Sequence, residues 1–359
     1  MAIDFSEERW LKIKEDYRSW WAGKLKRPLI QMILTGREPG RAEPDLPYHE
    51  FTAFYDFSVA AEAIVDRWDY NLSCQKYLGD GFPSVWPNFG PGVLGAFLGA
   101  KLINGESTCW FQALEHKAIG DIKFQFNPDN DWFKRIQNIY RAAIERWQGI
   151  VQMGMTDLGG NLDILYTFRS GGKLLFDLCD HPDDVKRLTW DAHEMWWRYF
   201  KRLDDILQPL NPGYTAWTPI YSEEPYYMLQ CDFCYMIGPE MFDEFVKPEL
   251  VASCCKLANP FYHLDGPGQL PHLDSILQIE ELKGIQWIPG AGQPGVTGWP
   301  DVYRKIHDAG KLIQLWGDMN TLDLLMDQLG TAEGIIIMIE ADIAEENDAI
   351  EFLKKYNVI

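Results

Sequence analysis

Apolar residues along this 359-residue chain fall into two kinds of stretch. Short continuous runs alternate with longer segments in which apolar positions recur every three or four residues, and these predict buried strands and amphipathic helices respectively. The short runs lie at 28–34, 70–72, 150–155, 214–220, 261–264, 284–288, 312–316 and 335–339, giving eight candidate strands. Helical periodicity covers 4–22, where Asp4 and Glu7 have capping-box spacing and Trp10, Ile13, Tyr17 and Trp20 form one stripe. It returns at 131–148, 189–207, 300–309, 321–329 and 344–355, and at 239–257, where Pro248 should kink or split the helix.

Strands that alternate with helices imply a parallel sheet. Eight such units in a chain of this length fit a closed (β/α)8 TIM barrel, an α/β fold, better than an open doubly wound sheet. The expected organisation is one domain over 1–359, with an N-terminal helical extension at 1–27 and an inserted capping segment at 73–129. The Gly/Pro-rich part of that insertion, 79–99, would cover one barrel end. No internal repeat, low-complexity tract or linker interrupts the chain.

Composition narrows the function classes. The 53 Asp and Glu against 33 Lys and Arg leave a net charge of −20. Such a surface repels phosphate backbones and anionic lipid, so neither nucleic acid nor membrane is an expected partner. No stretch approaches about 18 uninterrupted apolar residues, and the N-terminus has no apolar signal core. The seven cysteines are odd in number and scattered, which is not a disulfide framework and points to a reducing, cytoplasmic setting. Fifteen Trp, 19 Phe and 16 Tyr suggest either large aromatic cores or an aromatic-lined pocket.

Barrels of this type carry their chemistry at the C-terminal ends of the strands. The fifth candidate strand ends Tyr-His263-Leu-Asp265-Gly-Pro-Gly, and alternation puts His263 and Asp265 on one face. The last apolar run ends in Glu340. One imidazole and two carboxylates suit zinc or another divalent metal, so His263, Asp265 and Glu340 form a candidate ligand set. The alternative is that His263 and Asp265 hydrogen-bond loop backbone and Glu340 opens the final loop.

The segment Gln230-Cys-Asp232-Phe-Cys-Tyr-Met-Ile-Gly-Pro-Glu-Met-Phe-Asp-Glu-Phe-Val-Lys-Pro248 resembles the acid, Pro-x-x-Phe-x-x-Phe and Pro pattern of the uroporphyrinogen decarboxylase superfamily. His263-Leu-Asp265-Gly-Pro-Gly is similar to that superfamily's His-x-Cys-Gly segment. The resemblance covers most of the chain, is clearest from Gly149 onward, and implies a (β/α)8 barrel. It is closer to the zinc-dependent corrinoid methyltransferase branch than to true uroporphyrinogen decarboxylase. In the decarboxylase branch an arginine-rich N-terminal segment binds propionates; here 27–37 is similar in outline, but Ile33 and Leu34 stand where that branch has Arg and Gln. An unpaired propionate charge would be costly.

The methyltransferase branch holds zinc with a His-x-Cys pair and a later Cys. The resemblance therefore implies that Asp265 and Glu340 replace thiolates, leaving a harder Lewis acid suited to polarising oxygen. The implied function is transfer of a methyl group from a small oxygen-linked donor, for example a methoxylated aromatic, to the cob(I)alamin of a separate corrinoid protein. Trp217, Tyr221, Trp287 and Trp316 could then stack on the donor, with Gln286 and Gln314 beside them, although aromatic residues in a barrel also serve as core. Asp232 and Glu223 are candidates for orientation or proton transfer, or else solvated loop acids. The methyl donor or acceptor would be a small molecule, and a homodimer is among the oligomeric states left open. Two alternatives stand beside this reading: a cofactor-free decarboxylase of a small carboxylic acid, and a non-catalytic small-molecule-binding member.

Three further signals carry less. Gly290-Ala-Gly292-Gln-Pro-Gly295 matches a dinucleotide fingerprint in form, but Pro294 delays the helix that such a loop must open. Cys231-x-x-Cys234 lacks a second pair at ligand spacing. Asp157-Leu-Gly-Gly-Asn161-Leu-Asp163 follows the third candidate strand and could shape the mouth, or simply turn the chain.

Overall fold

The run Ile-Ile-Ile-Met-Ile at 335–339 is buried along its whole length, as a strand covered on both faces must be. It forms an interior strand of the sheet in a computed structural model that describes residues 3–359. Met1 and Ala2, the start of the expected 1–27 extension, lie outside the described residues. The strands in chain order are β1 (Leu29–Thr35), β2 (Gln75–Gly79), β3 (Ser84–Val85), β4 (Lys101–Asn104), β5 (Cys109–Gln112) and β6 (Gln152–Met153). The second half of the chain adds β7 (Tyr226–Gln230), β8 (Asn259–Asp265), β9 (Gly284–Ile288), β10 (Leu312–Gly317) and β11 (Ile335–Asp342).

Seven strands form one sheet in the order β2-β1-β11-β10-β9-β8-β7. All neighbours pair in parallel except β1 with β2. A second parallel pair joins β3 to β6, and β4 pairs antiparallel with β5. The architecture is thus mixed α/β with a mostly parallel central sheet, its strands separated by helices.

Two strand expectations are corrected. Residues 70–72 belong to the helix Ala61–Ser73, whose Ile64, Val65, Trp68 and Leu72 form a buried stripe of helical spacing. Residues 214–220 are irregular, with one isolated bridge from Tyr214 to Ser222. Pro219 has no N–H to give a ladder, and its carbonyl instead accepts from the Gln31 side chain. The strand of this region is β7, which begins just after Pro225.

The helices follow their periodicity closely. The first is Glu7–Trp21, burying Trp10, Ile13, Tyr17 and Trp20; its N-cap is Ser6, which accepts from Arg9 N–H, and not the Asp4 expected. Pro248 splits its region into Pro239–Phe245 and Lys247–Cys254. The helix expected at 189–207 starts earlier, at Pro182, a residue suited to a first turn, and ends at Leu207.

The first helix closes over the N-terminal ends of the strands. Trp10 donates its indole N–H to the Ile150 carbonyl, just before β6, and Trp21 to the Tyr221 carbonyl, before β7. At the other end, residues of the 79–99 segment meet the loop after β6: Val93 N–H donates to the Asp157 carbonyl, and Thr156 Oγ1 to the Pro87 carbonyl. No helix among the described residues is long and apolar enough to cross a membrane.

Candidate metal site at the strand ends

Parallel pairing sets β7, β8, β9 and β10 in register, so that Gln230, His263, Gln286 and Gln314 stand level on successive strands. His263 and Gln286 face each other across that register, the imidazole Nδ1 hydrogen-bonded to the amide Oε1. An amide oxygen only accepts, so Nδ1 is the donor in this contact. Trp217 stands edge-on to the same imidazole, with ring centroids 5.0 Å apart.

Two residues further along β8, Asp265 lies on the His263 face, and Gly266 at φ 75° then turns the chain off the sheet. Asp232 comes from a different element, the 3-10 turn Asp232–Met236 that follows β7. Potential ligand atoms of Asp232, His263 and Asp265 all lie within 4.8 Å of one another. Asp232 keeps solvent contact at the mouth. Even so, the protein packed around it raises its pKa; His263 pulls it down and the Asp265 carboxylate pushes it up.

Behind this group stand two more acids. Asp163, in the first turn of the helix Asn161–Phe168, accepts the backbone N–H groups of Phe233 at 2.7 Å and Asp232 at 3.1 Å. Burial and the neighbouring Asp232 raise its pKa. Asp157 accepts from Gly159 N–H and Gln230 Nε2, and burial pushes it up to about 7. Sequence reading noted their segment as a mouth-shaping loop but did not place these carboxylates beside Asp232. The signal available was position alone, in the loop that follows a strand.

The remaining expected site residues separate into two groups. Gln314 is fully buried, and Trp316, two residues on along the same face, is 44% exposed at the rim. Trp217 Nε1, Gln286 Nε2 and Gln314 Oε1 are buried without a hydrogen-bond partner. Glu340 sits on β11 opposite Ile33 of β1, three strands from β8 and outside the Asp232–His263–Asp265 group.

The others face elsewhere. Trp287 alternates with Gln286 and packs against Trp299 at the start of the helix Pro300–Asp308, with centroids 5.1 Å apart. Tyr221 is buried against Trp10, Tyr17 and Phe82, and its hydroxyl donates to the Pro212 carbonyl. Glu223 pairs with Arg18 of the first helix at 2.7 Å. Tyr221 and Glu223 precede β7, so they belong to the N-terminal end of the strands, opposite the mouth.

No protein-family model matches the chain, and no curated protein matches it in sequence. Its fold is similar to that of a methyltransferase from Methanosarcina mazei, with a TM-score of 0.61 over 92% of this chain and 93% of that one. At 10% identity, what the two chains share is the fold.

Proposed function

We propose that this protein is a metal-dependent methyltransferase that moves a methyl group from a small oxygen-linked donor to the cob(I)alamin of a separate corrinoid protein. The observation that carries the reading is the convergence of Asp232, His263 and Asp265 at the C-terminal ends of β7 and β8. The ligand set differs from the one expected: Asp232 takes the place given to Glu340.

These residues fit a divalent ion. Zinc bonds of about 2.0–2.2 Å to nitrogen and oxygen place tetrahedral ligand atoms roughly 3.3–3.5 Å apart. A group already within 4.8 Å reaches that spacing by side-chain rotation. His263 is pre-set for it, because Gln286 accepts from Nδ1 and leaves Nε2 for the ion, as outer partners of ligating imidazoles do. Two neighbouring carboxylates, one with its pKa raised, are a pair that a cation relieves. Zinc or another divalent ion held there would supply Lewis acidity toward the donor oxygen while leaving a coordination position open.

The chain's own residues do the rest. Trp217 and Trp316 offer aromatic surface on either side of the polar layer, and Gln286 Nε2 and Gln314 Oε1 offer an unused donor and acceptor to an uncharged polar group. The donor's carbon–oxygen bond breaks with the electron pair staying on oxygen, and cobalt of cob(I)alamin supplies the pair for the new bond to carbon. Glu340, across the mouth, is free to orient the donor. The fold likeness to a methyltransferase supports the methyl-transfer class. The strand set is read as a closed (β/α)8 barrel, with single hydrogen bonds from Asp80 N–H to Ile30 and from Met155 N–H to Thr215 extending the ladders toward closure. The cytoplasm is the compartment that suits seven free cysteines.

The alternatives are less well matched. Asp232 and Asp265 beside each other would disfavour the anionic substrate of a decarboxylase, and a non-catalytic binder has no need of converging ligands. Metal analysis with His263→Ala, Asp265→Ala and Asp232→Ala beside the wild type tests the reading. We expect about one zinc-sized divalent ion per wild-type chain, sharply reduced retention in each variant, and loss of methyl transfer to cob(I)alamin. A wild-type protein that takes up no divalent metal, with methyl transfer intact in His263→Ala, would sink it.

A further inference from the structure

His263 and Asp265 are held by a strand hydrogen-bonded on both sides, but Asp232 is not. It stands beyond the end of β7, on a five-residue 3-10 turn at the solvent edge. A ligand on such a turn needs an anchor outside the sheet to keep its place opposite β8. We infer that Asp163 is that anchor: a positioning residue that fixes Asp232 through the backbone and so completes the three-ligand site. The inference rests on the reading of Asp232 as a metal ligand.

The geometry is specific. The two oxygens of the Asp163 carboxylate accept separate, consecutive backbone N–H groups, Oδ1 from Phe233 at 2.7 Å and Oδ2 from Asp232 at 3.1 Å. This is a bidentate clamp on the first two residues of the turn. The approach depends on Gly160, since a Cβ there would lie 2.2 Å from the Gln230 carbonyl oxygen and 2.5 Å from Asp163 Oδ2. Asp157 holds the last residue of β7 by accepting from Gln230 Nε2 at 2.9 Å. The middle of the turn is pinned as well, where His272 Nε2 meets the Cys234 carbonyl at 2.9 Å and the ring stacks on Phe242. The Asp157-to-Asp163 segment thus grips residues 230–233 through two carboxyl groups, which accept from the Gln230 side chain and from two main-chain N–H groups, and through the close approach at Gly160.

The test is cobalt(II) binding to Asp163→Ala, Asp163→Asn, Asp232→Ala and the Asp163→Ala/Asp232→Ala double variant, read by the visible absorption of the ion. Backbone amide exchange at 232 and 233 is measured alongside in metal-free protein. Removing an outer partner of a ligand weakens binding by about 10- to 100-fold, and we expect that range for Asp163→Ala, with an altered cobalt spectrum. Asp163→Asn keeps one acceptor and should recover part of the loss; it also serves if the alanine variant folds poorly. Because Asp163 acts through Asp232, the double variant should bind no more weakly than Asp232→Ala alone.

Wild-type affinity in Asp163→Ala would overturn the inference, as would an Asp163→Ala penalty that persists in full on the Asp232→Ala background. If wild-type protein bound no cobalt, the metal reading would fall, and amide exchange would decide the positioning role on its own. Lost protection at 232 and 233 in metal-free Asp163→Ala upholds it, and unchanged protection overturns it.

Discussion

Asp157 holds its proton to about pH 7, well beyond an aspartate in water, because folding removes it from solvent. Its folded pKa lies above its unfolded one. The folded state therefore binds more protons between about pH 4 and 7, and stability falls as pH rises through that window. Above it, the charged group costs up to about 4 kcal/mol, an upper figure for a shift of this size. Both side-chain hydrogen bonds made by Asp157 end on Oδ1, an atom that asparagine also has. Asp157→Asn should accordingly come closest to the wild type near pH 3.5, below the unfolded carboxyl's range, and exceed it in denaturant midpoint at pH 8. Equal midpoints at both pH values would show that Asp157 ionises without cost. Residue-level chemistry was partly legible in the sequence. The same-face relation of His263 and Asp265 follows from strand alternation alone. Their third neighbour does not, because Asp232 and Glu340 both follow apolar runs, and only the lateral order of the strands puts one near β8 and the other three strands away.

Elements were legible where side-chain period and backbone pairing agree. The last third of the chain, from β9 to the helix Glu346–Lys355, follows its pattern almost residue by residue. The pattern misled where composition looked strand-like but the backbone had other partners. Residues 214–220 are rich in aromatic and β-branched side chains, yet Pro219 has no N–H for a ladder and its carbonyl accepts from the Gln31 side chain. Close packing between elements left almost no mark in the sequence. Gly284 opens β9 between Phe261 of β8 and Leu312 of β10. A Cβ there would stand 2.1 Å from the Phe261 ring and 2.6 Å from the Leu312 carbonyl oxygen. The ring cannot easily retreat, since Trp20 stacks on it and Trp21 meets it edge-on. Gly284→Ala should therefore destabilise the fold by about 3 kcal/mol, the upper end of ordinary overpacking. The check is a lowered denaturant midpoint at unchanged slope. An unchanged midpoint would mean that β8 and the first helix yield together.

At the scale of the molecule, the two ends of the strand set divide stability from chemistry. The N-terminal end is an aromatic plug. Trp10 and Tyr17 of the first helix pack ring against ring with Phe82 and Tyr221, so these aromatic side chains serve packing and not a pocket. The C-terminal end carries the acids Asp157, Asp163, Asp232 and Asp265 together with His263. Opposite effects should follow from substitutions at the two ends. Trp10→Ala removes a buried indole and its bond to the Ile150 carbonyl, and should cost about 3–5 kcal/mol. Metal affinity below the melting transition should not change. Glu223→Ala breaks an exposed pair with Arg18 and should alter stability by no more than about 1 kcal/mol, with methyl transfer intact. His263→Ala should do the reverse of Trp10→Ala: metal retention falls while the melting temperature of metal-free protein barely moves, because the imidazole contributes one hydrogen bond and an edge contact to Trp217. Thermal melts of metal-free and metal-loaded forms of all three variants provide the comparison. The metal-induced rise in melting temperature should be present in Trp10→Ala and Glu223→Ala and absent in His263→Ala. A Glu223→Ala protein that melts like the wild type but has lost methyl transfer would place chemistry at the N-terminal end and refute this division.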